Sequence, residues 1–182
     1  MPESYIFTTD LNPVEVNVTY KFQTTSGHTY AVTFIEVTKV IEVFDEFQTI
    51  SNAIHVIVDP VNINGPLGFD ARIGATVTSI IKDYLANIGD DQILIFICDS
   101  KDGKQIKRDS KFERWYSYYK SDTSLEKINQ EILEPQDNGT YLSTFISILF
   151  SSDHPRRENI LNEIKQLKES FGLGKFGEDE NS

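Results

Sequence analysis

The sequence predicts an α+β domain: a mixed, mostly antiparallel sheet with an N-terminal hairpin, one β-α-β crossover and flanking helices. Three observations predict it. Period-two alternation runs through the N-terminal third, an amphipathic helical stripe begins at Asp70, and a continuous apolar run, Ile93 to Cys98, follows that helix. In VNVTYKF, Val16, Val18, Tyr20 and Phe22 share one face, while Asn17, Thr19 and Lys21 share the other. Ser26-Gly27 marks a turn, and Thr29 to Val37 continues with β-branched and aromatic residues, which makes the hairpin. Thr38 to Ile50 is open between a short strand and a loop. Ala53 to Asp59 reads as a further strand, and PVNINGPLGFD, rich in Pro, Gly and Asn, as an irregular loop.

From Asp70 the period changes to that of a helix. Ile73, Val77, Ile80, Ile81, Tyr84 and Leu85 form its inner stripe, with Asp70 as N-cap and Gly89 as the stop. ILIFIC then reads as a strand buried on both faces. Phe112, Trp115, Tyr116 and Tyr119 recur at i, i+3, i+4 and i+7, which predicts a second helix with an aromatic inner face. Thr123 and Glu126 match a capping box, predicting a third, shorter helix through Ile128, Ile132 and Leu133. Tyr141 to Phe150 is a long internal strand. Pro155 opens a last helix whose stripe is Ile160, Leu161, Ile164, Leu167 and Phe171, and Gly172 ends it. The organisation is one domain over residues 1–171, with residues 172–182 as a flexible acidic tail.

Composition narrows the function. The 182 residues are 39% hydrophobic and 12% aromatic, enough for one core. With 17 basic against 28 acidic residues the formal charge is −11, which argues against broad nucleic-acid binding and against an anionic membrane surface. One cysteine excludes an intramolecular disulfide and any Cys-rich zinc site. The first residues carry acids and no basic n-region, and no apolar run approaches the roughly 20 residues of a membrane span, so a cytoplasmic protein is expected.

Chemistry-bearing residues are sparse. His28, His55 and His154 share no ligand spacing and read as packed or exposed side chains; no metal is expected. Cys98 ends the buried strand as a small hydrophobe. Asp99 and Asp102 flank the next turn, where turn formation explains them and a divalent metal or general base is the alternative. No nucleophile elbow, Walker loop or zinc helix is present. The most suggestive place is Arg72-Ile73-Gly74-Ala75-Thr76 at the start of the first helix, where free N–H groups, a partial positive charge and a glycine let an anion approach. The plainer account of Gly74 is close packing of the helix on the sheet.

Two family resemblances follow from these residues. The order of strands, the irregular loop, Arg72-Ile-Gly-Ala at a helix start, a buried strand and a Tyr-bearing helix resemble the GNAT acyltransferase fold over roughly Val14 to Tyr119. That resemblance implies a coenzyme A pyrophosphate on the N–H groups of Ile73 to Thr76, with Arg72 nearby and Tyr116 or Tyr119 as general acid. The spacing departs from R-x-x-G-x-G/A by one residue, and Thr76 stands at the second glycine position. FDARIGATVTSII and FICDSKDGKQIKRDSKFERWY are also similar to a family of small uncharacterised bacterial proteins, chiefly from Bacteroidota, over Tyr20 to Phe150. Its matching positions are Arg72, Asp99, Asp102, Gly103, Gln105, Arg108, Phe112 and Trp115. Asp99, Asp102, Gln105 and Arg108 then become cleft candidates, with an Arg72–Asp99 salt bridge favoured over Arg72 facing a bound anion. The leading expectation is a non-catalytic interaction or regulatory module that takes a protein partner or small anionic ligand and needs no cofactor. The alternative is a GNAT-like protein binding acetyl-CoA.

Overall fold

The computed structural model of the protein describes residues 2–12, 17–40, 42–89, 91–98, 103–120, 124–135 and 138–171. Among them, seven strands share one sheet: β1 (Phe7–Asn12), β2 (Asn17–Gln23), β3 (Thr29–Glu36), β4 (Ile54–Asn62), β5 (Leu94–Cys98), β6 (Leu125–Pro135) and β7 (Tyr141–Ser151). The helices are α1 (Ala71–Ile88), α2 (Gln105–Tyr119) and α3 (Arg157–Phe171). The spatial order is β1-β2-β3-β4-β5-β7-β6. Every neighbouring pair is antiparallel except β4 and β5, which align Ile54 with Leu94 and His55 with Ile95. The α+β class, the hairpin and the crossover through α1 are those that periodicity predicts. Gly27 takes the left-handed φ of 81° that the β2–β3 turn requires.

Two apolar layers sandwich the sheet. On one face α1 and α2 bury Ile73, Val77, Ile80 and Tyr84 against Tyr20, Phe22, Val32 and Phe34, and Tyr84 stacks on Phe34 with centroids 3.7 Å apart. On the other face α3 contributes Ile160, Ile164 and Leu167, packed with Phe44, Phe47 and Ile50 from the segment between β3 and β4. β5 sends Leu94 and Phe96 into the first layer and Ile95 into the second, so its uninterrupted apolar run is a consequence of burial on both faces. Residues 37–52 resolve the open segment as three short 3-10 turns, Val37–Lys39, Glu42–Glu46 and Ile50–Asn52. Glu163 of α3 holds the last of these by accepting the N–H groups of Thr49 and Ile50 at 2.9 and 2.8 Å.

The structure overturns the helix predicted through Ile128, Ile132 and Leu133. Leu125–Pro135 is the edge strand β6, paired along its whole length with β7. Ile128 and Ile132, four apart, fit a helical stripe as well as one face of a strand, and long-range pairing decided the matter. That face meets the α3 layer, where Arg157 grips Glu126 with two parallel bonds of 2.9 and 3.0 Å. The opposite face turns Lys127 and Asn129 to Glu113 on α2. A further strand, β1, lies where no apolar run announces one.

Hydrogen exchange should be slowest in β5 and in Ile146–Phe150 of β7, where burial on both faces removes local opening routes. Fast exchange throughout Leu94–Cys98 would contradict the layering. Acid sensitivity should trace to Glu113. Its carboxyl is held below the ordinary value of 4.5, first by the hydrogen bond from Lys127, whose side chain is only 3% exposed. A carboxyl with a depressed folded pKa stabilises fully above its unfolded pKa and loses that contribution as pH falls through the folded value. Glu113→Gln should therefore lower stability at neutral pH and flatten the unfolding curve below about pH 4.5. Parallel acid-unfolding curves for the two proteins would refute this.

Candidate functional site

Asp70 caps α1 as predicted, accepting the Arg72 N–H at 2.9 Å and the Tyr5 hydroxyl at 2.7 Å. Residues 3–5 then lie along the first turns of the helix. Tyr5 donates its N–H to Thr76 Oγ1 at 2.8 Å, and Arg72 Nε donates to the Glu3 carbonyl at 2.9 Å with its guanidinium carbon 4.0 Å from the Tyr5 ring centre. Arg72 is thus spent on the N-terminal segment. Ile73, Gly74, Ala75 and Thr76 are all buried. Asp99 and Asp102 lie outside the described residues, as does the side chain of Tyr119, so the expected Arg72–Asp99 pair involves a residue not described.

Gly74 has a specific packing reason. A Cβ there would stand 2.5 Å from Trp115 Nε1 and 2.6 Å from its Cδ1. The bare backbone of α1 lets the indole of α2 lie against it, so the tight packing expected at Gly74 is made with a neighbouring helix. Trp115 is half-buried, with Phe112 against it edge-on at 5.3 Å.

Beside that contact opens a cleft of about 520 Å³ between the start of α1 and the outer face of α2. This is the size of an ordinary ligand site. Gly68, Phe69, Ala71 and Gly74 form one wall, and Ile106, Ser110 and Trp115 the other. Lys107, Lys111 and Arg114 line it as well, and Asp70, already engaged twice, is the one acid among the lining residues. No carboxylate among the described residues is ion-paired with any of the three cations. Desolvation pushes the Lys111 ammonium below the usual lysine value, although the residue as a whole is exposed, and the group sits 5.1 Å from the Trp115 ring centre. An unpaired, partly desolvated cation gains most from an incoming anion.

Tyr116, Gln105 and Arg108 do not join this cleft. Tyr116 donates its hydroxyl to the Leu125 carbonyl at 3.0 Å, toward β6, and burial raises its pKa. Gln105 opens α2 with a buried Oε1 that bonds to nothing among the described residues, and Arg108 lies outside the cleft lining. His55 is buried within β4, and the other two histidines bond to backbone atoms. His28 Nδ1 accepts the Asn64 N–H, and His154 Nδ1 accepts the Arg156 N–H while its Nε2 donates to the Asp91 carbonyl. Among the described residues no cluster of His, Cys, Asp or Glu could hold a metal, and no helix is long and apolar enough to cross a membrane.

Ile106, Lys107, Lys111 and Arg114 carry the cleft, and none of them figures among the expected site residues. A signal was available: seven of the 17 basic residues, against three of the 28 acids, fall within residues 101–120. Within α2 the cations at 107, 111 and 114 share one helical face.

The Gly74–Trp115 contact makes a sharp prediction. Gly74→Ala adds helix propensity worth about 1 kcal/mol, yet it should destabilise the protein by about 1–3 kcal/mol through overpacking. In a Trp115→Leu background the same change should turn neutral or stabilising, measured as non-additivity in urea unfolding. Equal costs in both backgrounds would refute the contact.

Comparison with known proteins gives one match. No curated protein and no solved structure matches the chain. The model of a family of unknown function, DUF6169, matches residues 69–166, from the lip of the cleft into α3 and over more than half of the chain. The chain therefore belongs to DUF6169, a family of unknown function.

Proposed function

We propose that the protein is a non-catalytic interaction module of the bacterial cytoplasm, and that its working surface is the cleft between α1 and α2, which takes an acidic partner. One observation carries the reading. A chain of net charge −11 places Lys107, Lys111 and Arg114 around a cleft of about 520 Å³ with no described carboxylate ion-paired to any of them, Asp70 being committed to the α1 cap and Tyr5. Such a concentration of positive potential costs self-repulsion in the free protein and is offset when an anion enters. The non-catalytic part of the reading is supported by the groups that could do chemistry. His28, His154 and the Tyr116 hydroxyl are committed to backbone atoms, and the Cys98 side chain is buried at the end of β5, away from any substrate.

A second reading, acetyl-CoA binding in the GNAT manner, is favoured by one feature: the cleft reaches Ala71 and Gly74 at the start of α1. Under it the pyrophosphate lies near the N–H groups of Ile73 to Thr76 and is shared with the cations of α2. Against it stand the Asp70 cap and the indole packed on Gly74.

Thermal melting separates the readings. Poly-L-glutamate at low salt should raise the Tm although the protein is itself acidic, and a K107E/K111E/R114E variant should lose the effect. At about 100 times its Kd a ligand adds about 2.7 kcal/mol, well within detection. No shift with poly-L-glutamate overturns the acidic-partner reading. A shift with millimolar acetyl-CoA that Gly74→Asp removes would establish the second reading instead.

A further inference from the structure

The geometry points to an acidic protein segment carrying one bulky apolar side chain as the occupant of this cleft, an inference that rests on the reading above. Lys107, Lys111 and Arg114 stand at i, i+4 and i+7 of α2, so they are strung over about 10.5 Å of helix rather than converging on a point. A single phosphate or carboxylate touches one or two groups so placed. Carboxylates on an extended chain, spaced by about 3.3 Å per residue, can meet all three.

The apolar part of the cleft has the same extended character. Phe69 at its lip is 83% exposed and Ile106, beside the cations, is 64% exposed. Large apolar side chains left in water around a pocket mark a surface completed by a partner. The half-buried indole of Trp115, with Lys111 5.1 Å from its ring centre, lines the same cleft and adds apolar surface on which an aromatic or branched side chain can pack while the cations hold the flanking acids. This combination of a central apolar anchor and a charged rim is that of a protein interface. The overall charge of −11 disfavours a long nucleic acid, whose phosphates run beyond the cleft onto a chain of net negative charge, more than it disfavours a short acidic segment held within it.

The chain contains one tryptophan, and it is the one in this wall, so its emission reports occupancy directly. The probes are short acetylated peptides with three glutamates and one phenylalanine, the phenylalanine moved through each position, titrated at low salt beside poly-L-glutamate and oligothymidylate. At least one peptide should shift Trp115 emission saturably and bind at least roughly tenfold more tightly than its serine-for-phenylalanine analogue. Affinity should fall as salt rises, and Ile106→Ser, an exposed change that leaves the Tm intact, should erase the preference for phenylalanine. K107E/K111E/R114E should abolish binding. If poly-L-glutamate binds but phenylalanine improves no peptide, the anchor inference fails and the acidic-partner reading stands. If neither binds, both fail. Tighter binding of oligothymidylate than of any peptide would overturn the inference in favour of a single-stranded nucleic acid.

Discussion

The interior strand β5 is the constraint on which the rest of the molecule depends. It is covered on both faces, by α1 and α2 on one side and by the α3 layer on the other. Its parallel pairing with β4 obliges the connecting chain to cross the sheet, and α1 is that crossing. The start of α1 and the end of β5 therefore meet at one edge of the sheet, and α2, which follows β5 in the chain, lies beside the start of α1. A cleft at this edge is the expected place for a ligand in such a crossover.

The width of that cleft is set by the absence of one side chain. Because Gly74 has no Cβ, Trp115 packs directly on the backbone of α1 and draws α2 close along part of its length. Away from that contact the helices part, and the space between them is lined by Phe69, Ile106 and the cations of α2. The inner side of α2 is fixed independently: Glu113 binds Lys127 and Asn129 of β6, and the Tyr116 hydroxyl reaches the Leu125 carbonyl. Glu113 is thus drawn toward the edge strand, and Lys107, Lys111 and Arg114 line the cleft with no ion-paired carboxylate among the described residues. One helix serves both as a structural brace and as a charged wall.

The N-terminal residues add to this wall. Tyr5 is buried, joined to Thr76 through its backbone and to Asp70 through its hydroxyl, and Pro2 reaches the cleft lining. These contacts place Arg72 against Tyr5 and Glu3, which explains why the guanidinium nearest the helix start is not among the cations that face the cleft.

By itself the sequence determined the elements whose patterns arise from local burial: the alternation of Val18, Tyr20 and Phe22, the stripe of α1 with its Asp70 cap, and the unbroken run of β5. Each of these buries a face large enough to leave a periodic trace. Only the tertiary structure decided β1 and β6. Both are edge strands with a partner on one side, so few of their residues need be apolar, and in β6 the spacing of Ile128 and Ile132 suits helix and strand alike. The same holds for the site. A glycine at position 74 was visible in the chain, but its meaning depended on Trp115, some 40 residues away and brought against it by the packing of α2 on α1. Lys107, Lys111 and Arg114 follow the same rule: their spacing on α2 is local, but that no carboxylate among the described residues pairs with them is decided by everything that folds around them.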